Sequence, residues 1–133
     1  MSETKTYRII IAGSRDFEDY EVVRTKTAAV ISAIKENEPE AKIEIVSGGA
    51  RGVDSLGERF AREYGYKLWR FPADWNAYGR AAGPIRNRQM LEFAMERNPV
   101  LIAFWNGVSR GTSNMVDIAQ DAKVSIYRYL IHG

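Results

Sequence analysis

Ser47-Gly48-Gly49-Ala50-Arg51-Gly52-Val53-Asp54 decides the fold, because it stands between the apolar run Ile43 to Val46 and the amphipathic run Val53 to Tyr64. An apolar run that passes through glycines into a helical period is a strand-to-helix turn. Three glycines in five positions let a backbone take positive φ and expose its N–H groups. The helix behind them adds the positive end of its dipole. Such a turn suits an anion. It equally lets a strand and a helix pack closely, and taken alone it does not separate the two readings.

Upstream, Tyr7 to Ala12 is a nearly continuous β-branched apolar run, the pattern of a strand buried on both faces of a parallel sheet. It ends in the loop Gly13-Ser14-Arg15-Asp16-Phe17, which offers a flexible backbone, a hydroxyl and a guanidinium at a strand's carboxyl end. The alternative for Arg15 is a surface arginine on a short polar connection. From the N-cap Asp19, Val23, Thr27, Val30, Ile31 and Ile34 recur at helical spacing until Asn37 and Pro39 stop the pattern. Lys42 to Val46 is the second strand. In the second helix Val53, Leu56, Phe60, Ala61 and Tyr64 line one face before Gly65 ends it. Asp54, in that helix's first turn, complements the dipole or accepts from a ligand such as a ribose hydroxyl.

Lys67 to Phe71 reads as a short third strand, and Pro72 to Gly83 as a long connection without a clear period. Long loops in compact domains are often functional. Asp74, Trp75 and Tyr78 there suit a pocket wall that stacks on a base, or the sealed edge of a core. Pro84 fits the first turn of a third helix carrying Arg86-Asn87-Arg88-Gln89-Met90 and ending near Asn98-Pro99. Arginines near a helix N-terminus oppose the macrodipole, so an anionic ligand or a carboxylate partner explains them, with solvated side chains as the alternative. Val100 to Trp105 is a further apolar strand, running into a loop with Gly107, Ser109, Gly111 and Thr112. Met115, Ile118, Ala119 and Ala122 then give a fourth helix its apolar face, and Val124 to Leu130 closes the chain as a fifth strand.

Strands alternating with helices predict an α/β fold, a three-layer sandwich around a mostly parallel five-stranded sheet with helices on both faces. Ligands of such sheets bind outside the carboxyl ends of the strands where the strand order reverses. In the order 3-2-1-4-5, strands one and four are neighbours at that point. The loops after them then face one crevice, with Ser47 to Asp54 beside it. Backbone N–H groups from three loops, with Arg15, Arg86 and Arg88, would make a site for phosphates, covered by Trp75 or Tyr78.

Composition narrows the chemistry. At 133 residues, one domain is expected, with 1–6 as a flexible tail and 7–133 as the folded unit. Hydrophobic residues at 45% and charged residues at 27% are ordinary for a globular protein. No apolar run reaches the roughly 18 to 20 residues of a membrane span, and no secretory segment follows Met1, so a cytoplasmic protein without a membrane partner is expected. There is no cysteine, and His132 is the only histidine. Thiolate, cysteine-zinc and histidine-dependent triad chemistries are excluded or disfavoured, and no metal is expected. A net charge of +2 is too small to mark a dedicated nucleic-acid binder.

As a set, Gly13-Ser14-Arg15, Ser47 to Asp54, Pro72-Ala73-Asp74-Trp75, Gly83 to Met90 and the Gly107, Ser109, Gly111-Thr112 loop resemble the YspA/YpsA-related branch of the SLOG superfamily. The resemblance covers nearly the whole chain after Thr6. It implies a Rossmann-like fold that binds a nucleotide or nucleotide-derived ligand with no further cofactor, small members in bacteria and phages, and frequent homo-oligomers. Two better understood relatives pull in different directions. LOG phosphoribohydrolases carry R-K-x-x-M and P-G-G-x-G-T-x-x-E; Arg86 to Met90 is similar to the first, with Asn87 at the lysine, while the glutamate of the second falls on Met115. A methionine neither stabilises an oxocarbenium-like centre nor activates water. Hydrolysis therefore requires a substitute carboxylate from Asp54, Asp74 or Asp117, with Asp54 and Asp74 as the catalytic candidates, and simple binding is the favoured reading. DprA, a DNA-processing protein, shares the Gly-Ser-Arg loop, the Ser-Gly-Gly-Ala-Arg-Gly turn and the Arg-Asn-Arg segment, and makes single-stranded DNA the third reading. The expected ligand contacts are Gly13, Ser14, Arg15, Ser47, Gly48, Gly49, Arg51, Gly52, Asp54, Asp74, Trp75, Arg86, Asn87, Arg88, Gly107, Ser109, Gly111 and Thr112. The ligand envisaged is a phosphorylated nucleotide derivative, of the ADP-ribose or cyclic nucleotide kind.

Overall fold

The computed structural model describes residues 4–132. Five strands, β1 (Thr6–Gly13), β2 (Lys42–Ser47), β3 (Lys67–Arg70), β4 (Asn98–Trp105) and β5 (Ser125–Leu130), form one sheet in the order β3-β2-β1-β4-β5. Every pairing is parallel. This is the anticipated Rossmann-like order, in a sheet that is wholly parallel. Five helices surround it: α1 (Tyr20–Asn37), α2 (Val53–Tyr64), α3 (Trp75–Tyr78), α4 (Ala82–Met95) and α5 (Arg110–Asp121). Among the described residues no helix is long and apolar enough to cross a membrane.

The period of two in the strands builds two cores. Ile9, Ile11, Ile45 and Ile102 point to one face, where they meet Val23 and Val30 of α1 and Phe60 and Ala61 of α2. Ile10, Val46, Leu101 and Ala103 point to the other, against Met90 and Leu91 of α4 and Met115 and Ala119 of α5. Apolar residues on both faces explain why β1 and β4 read as continuous runs rather than alternating ones.

Local signals set most boundaries. Asp19 caps α1 by accepting from the Val22 N–H, and Gly65 ends α2 in the left-handed conformation. The connection from Pro72 to Gly83 departs from expectation. It holds α3, a 3-10 turn at Gly79–Ala81 and the start of α4, which begins at Ala82 rather than at Pro84. Pro84 is tolerated in the first turn, where N–H groups lack intrahelical partners. At the other end α4 stops at Met95, and Asn98 and Pro99 already belong to β4. Pro99 precedes the first β4–β5 pair, Val100 with Ser125, so its missing N–H falls at the start of the strand. Of the tail expected over 1–6, residues 1–3 lie outside the described residues, and Thr6 already pairs with Lys42.

Candidate functional site

β1 and β4 run side by side until Gly13 stands opposite Phe104. From there the chain after β1 turns towards α1 and the chain after β4 turns towards α5, on opposite faces of the sheet. The two exits leave a crevice of about 340 Å³, lined by Gly13 and Arg15, Ala50 and Asp54, Arg86 and Asn87, and Ser109 to Thr112, with Ala12 and Met90 as its apolar part. It lies at the strand-order reversal, as the topology requires.

The loop after β1 is pinned from both sides. The Ser14 N–H donates to the Phe104 carbonyl at 3.1 Å, and the Ser14 carbonyl accepts from the Val53 N–H at 3.1 Å. A side chain at Gly13 would collide with the Phe104 carbonyl and come within 2.7 Å of Val53 Cγ2. Gly52, at φ 75°, lies against the same loop; a Cβ there would be 2.5 Å from the Arg15 carbonyl carbon. Strand ends and turn thus form one unit.

Within that unit the turn after β2 plays a different part from the anion cradle its glycines suggest. The Gly49 N–H donates to Ser47 Oγ at 3.1 Å and the Ala50 N–H to Asp54 Oδ2 at 3.2 Å. Ser47 Oγ in turn donates to the buried Glu58 carboxylate at 2.7 Å, which also accepts from Arg70 Nε at 3.1 Å. These donors are occupied by the protein itself. Ser47, Gly48, Gly49 and Gly52 do not line the crevice, and Arg51 is exposed and pairs with Asp16 at 3.6 Å. What the turn presents to the crevice is Ala50 and the Asp54 carboxylate.

The start of α5 offers the free donors instead. Asn106 Oδ1 accepts from the Val108 and Ser109 N–H groups, and Ser109 caps the helix, its Oγ 3.1 Å from Thr112 Oγ1. Arg110 and Gly111 are the first two helical residues, whose N–H groups have no partner within the helix. No atom lies within 4 Å of where a Gly111 side chain would begin. Gly107, at φ 90°, shapes the loop and does not line the crevice.

α4 contributes a buried cation. Arg86 is only 8% exposed; its Nη1 donates to the Gly48 carbonyl and its Nε to Asn87 Oδ1 at 3.0 Å. Among the described residues no carboxylate lies within 4.0 Å of this guanidinium. Burial pulls its pKa below the ordinary arginine value; Asp54 opposes that effect and Arg15 adds to it. Asn87 ties α4 to α5, its Nδ2 donating to the Gly111 carbonyl at 3.1 Å and to Asn114 Oδ1 at 2.9 Å. Asp54, 6% exposed, is pushed up to about 6, chiefly by burial, with the Ala50 N–H and Arg86 pulling the other way.

Several expected contacts sit elsewhere. Arg88, two residues beyond Arg86 and therefore on another face of the helix, is exposed and outside the crevice. Asp74 caps α3, accepting from the Ala77 N–H at 3.0 Å. Trp75 is 49% exposed, with the Arg15 guanidinium 5.5 Å from its ring, and stands outside the lining. Met115 is fully buried beneath α5. Ser14 is buried as well, and its Oγ has no partner among the described residues. Arg110 and Ala50 line the crevice although sequence reasoning left them out. For Arg110 the signal was present, an arginine in the loop after an apolar strand, as for Arg15.

Comparison with known proteins reaches the same region. Residues 7–78, from β1 through α3, match the family described as YspA, cpYpsA-related SLOG. The gene 61 protein of Mycobacterium phage D29 is 31% identical over 127 residues, covering 92% of this chain and 95% of that protein. No solved structure matches the chain. The family match takes in Arg15 and the glycine turn with Asp54, the phage relative extends across α4 and α5, and the chain accordingly belongs to the YspA, cpYpsA-related SLOG family.

Proposed function

We propose that the crevice binds a nucleotide or nucleotide-derived phosphorylated ligand, and that the protein senses or sequesters it. Family membership is consistent with a nucleotide-related ligand. The observation that carries the reading is Arg86, a buried guanidinium facing a cavity with no carboxylate partner. Burying a cation with no carboxylate in ion-pair contact is costly, and a phosphate in the crevice offsets that cost. Arg15 and Arg110 add charge from the rim, and the first N–H groups of α5 add oriented donors. A phosphate against α5 leaves the rest of the ligand towards Ala50 and Asp54, whose carboxylate suits a sugar hydroxyl.

Mass spectrometry of small molecules released from the purified, denatured protein tests this, alongside thermal shifts with nucleotides, ADP-ribose derivatives and short single-stranded DNA. A nucleotide that co-purifies intact and raises the melting temperature supports the reading. Arg86→Ala is expected to weaken that ligand by about tenfold or more, the scale of a charged hydrogen bond. Unchanged affinity removes Arg86 from the site. A shift with DNA alone, falling steeply with salt, replaces the nucleotide by a single strand.

One observation favours a second reading. Asp54 is a buried carboxyl in the crevice, beside Arg86 and with a pKa of about 6, a value suited to proton transfer near neutral pH. A phosphoribohydrolase built on Asp54 in place of the residue at Met115 releases free base from nucleoside monophosphates. Asp54→Asn then lowers turnover more than binding.

A further inference from the structure

The crevice is polar in a directional sense. α2 leaves the sheet beside β2, and α5 leaves it beyond β4, so their first turns reach the cavity from opposite sides of β1. The α5 side carries Arg110, the N–H groups of the helix start and the Thr112 hydroxyl. The α2 side carries a carboxylate, with the Arg86 guanidinium held beside it by the Gly48 carbonyl. One oxygen of that carboxylate, Oδ2, accepts from the Ala50 N–H. The groups facing Asp54 are Arg86 from α4, Arg15 from the loop after β1 and Glu58 one turn further along α2. Neither arginine lies within ion-pair distance of it. In a cavity of about 340 Å³ a dianion anywhere inside is close to this carboxylate, and low-dielectric surroundings screen their repulsion poorly.

We propose that Asp54 is the specificity-determining residue of the crevice: its carboxylate keeps a second anionic group off the α2 wall, which restricts the ligand to one bearing a single phosphate group, and a dianion that crowds this wall enters together with one proton. The inference rests on the phosphate reading of the crevice. It is more specific than that reading, because it assigns charge selection to one side chain and couples binding to proton uptake. Asp54 is already held part of the way to its neutral form by burial. A nearby anion moves it further in the same direction.

Sulfate is the probe, since it keeps both charges across the range of interest and no histidine lines the crevice. Isothermal titration of the full chain with sodium sulfate is expected to show affinity rising at least about tenfold from about pH 8.5 to about pH 5.5. Comparing two buffers of different ionisation enthalpy is expected to show close to one proton taken up per sulfate near neutral pH. Asp54→Asn, whose amide oxygen can still accept from the Ala50 N–H, is expected to bind sulfate with a flat pH profile and at least about fiftyfold more tightly than wild type at about pH 8.5. The proton count needs no variant, so misfolding of Asp54→Asn leaves the test intact. Sulfate that binds wild type with a flat pH profile and no proton uptake overturns the role of Asp54 and leaves the phosphate site standing. Absence of sulfate binding at every pH overturns both.

Discussion

Asp54 shows how a single side chain that lines the crevice can oppose folding. Its carboxyl has a pKa of about 6 in the folded protein against an ordinary value of 3.8. Between those values the folded state holds more protons than the unfolded chain, so stability from this group is full below about pH 4 and is lost as pH rises through 6. Ionised Asp54 therefore costs the empty protein about 2 to 3 kcal/mol at neutral pH. Asp54→Asn is expected to raise unfolding free energy by that order at about pH 8, with the gain shrinking towards zero near pH 4. Urea titrations across that range check it, and a variant less stable than wild type at the higher pH refutes it. The sequence placed Asp54 in a first helical turn and left two roles open. Its burial was not legible, because Arg86, Asn87 and Met90, which line the same crevice, come from α4, a helix that begins 28 positions downstream. For the same reason Arg86 and Arg88 looked equivalent in the sequence, and only the helix phase set by Met90 and Leu91 in the core separates them.

At the scale of elements, two helix starts flank the crevice, and the α2 start brings a carboxylate to it where the α5 start brings none. The glycine turn before α2 drew attention because of its composition, yet its Gly49 and Ala50 N–H groups bond to Ser47 and Asp54. The start of α5, with fewer glycines, leaves the Arg110 and Gly111 N–H groups without a partner in the helix, while Ser109 Oγ takes that of Thr112. Two substitutions separate these roles. Gly111→Ala meets no neighbouring atom and replaces a helical glycine, so stability is expected to hold or to rise by about 0.5 to 1 kcal/mol. Gly111 lines the crevice, so an added methyl group is expected to lower affinity for a phosphorylated ligand there about tenfold in the same protein, as steric displacement of a charged hydrogen bond implies. Equal affinity moves the phosphate away from α5. Gly52→Ala combines a left-handed φ with a clash against the Arg15 backbone, and is expected to lose more than about 2 kcal/mol of stability. Thermal unfolding of both variants beside wild type reads the contrast. α1, α2 and α5 were legible because each spans several turns with an apolar stripe; α3, four residues long, is shorter than any helical period can reveal.

For the whole molecule, the crevice is a place where residues of both helical layers and of the sheet centre meet. α2 stands on one core and α4 and α5 on the other, and the loops lining the cavity come from all three. The two cores share the strands β1, β2 and β4 but have no helix in common, so a ligand touching both walls adds to the Arg86–Gly48 bond that ties α4 to the turn before α2. Such a ligand stabilises the native state by about 2.7 kcal/mol at a hundred times its dissociation constant. For a chain of 133 residues this corresponds to a rise in melting temperature of roughly 10 °C. Arg86→Ala removes the guanidinium that faces the cavity from α4, so at the same ligand concentration its shift is expected to be less than about half that of wild type, since a tenfold weaker ligand stabilises by about 1.4 kcal/mol less. Differential scanning fluorimetry of the two proteins, each referred to its own ligand-free melting temperature, cancels any change that the substitution makes to the empty fold. A full-sized shift in the variant places the ligand on another surface, whereas a reduced one ties stabilisation of the whole domain to the buried arginine at the strand-order reversal.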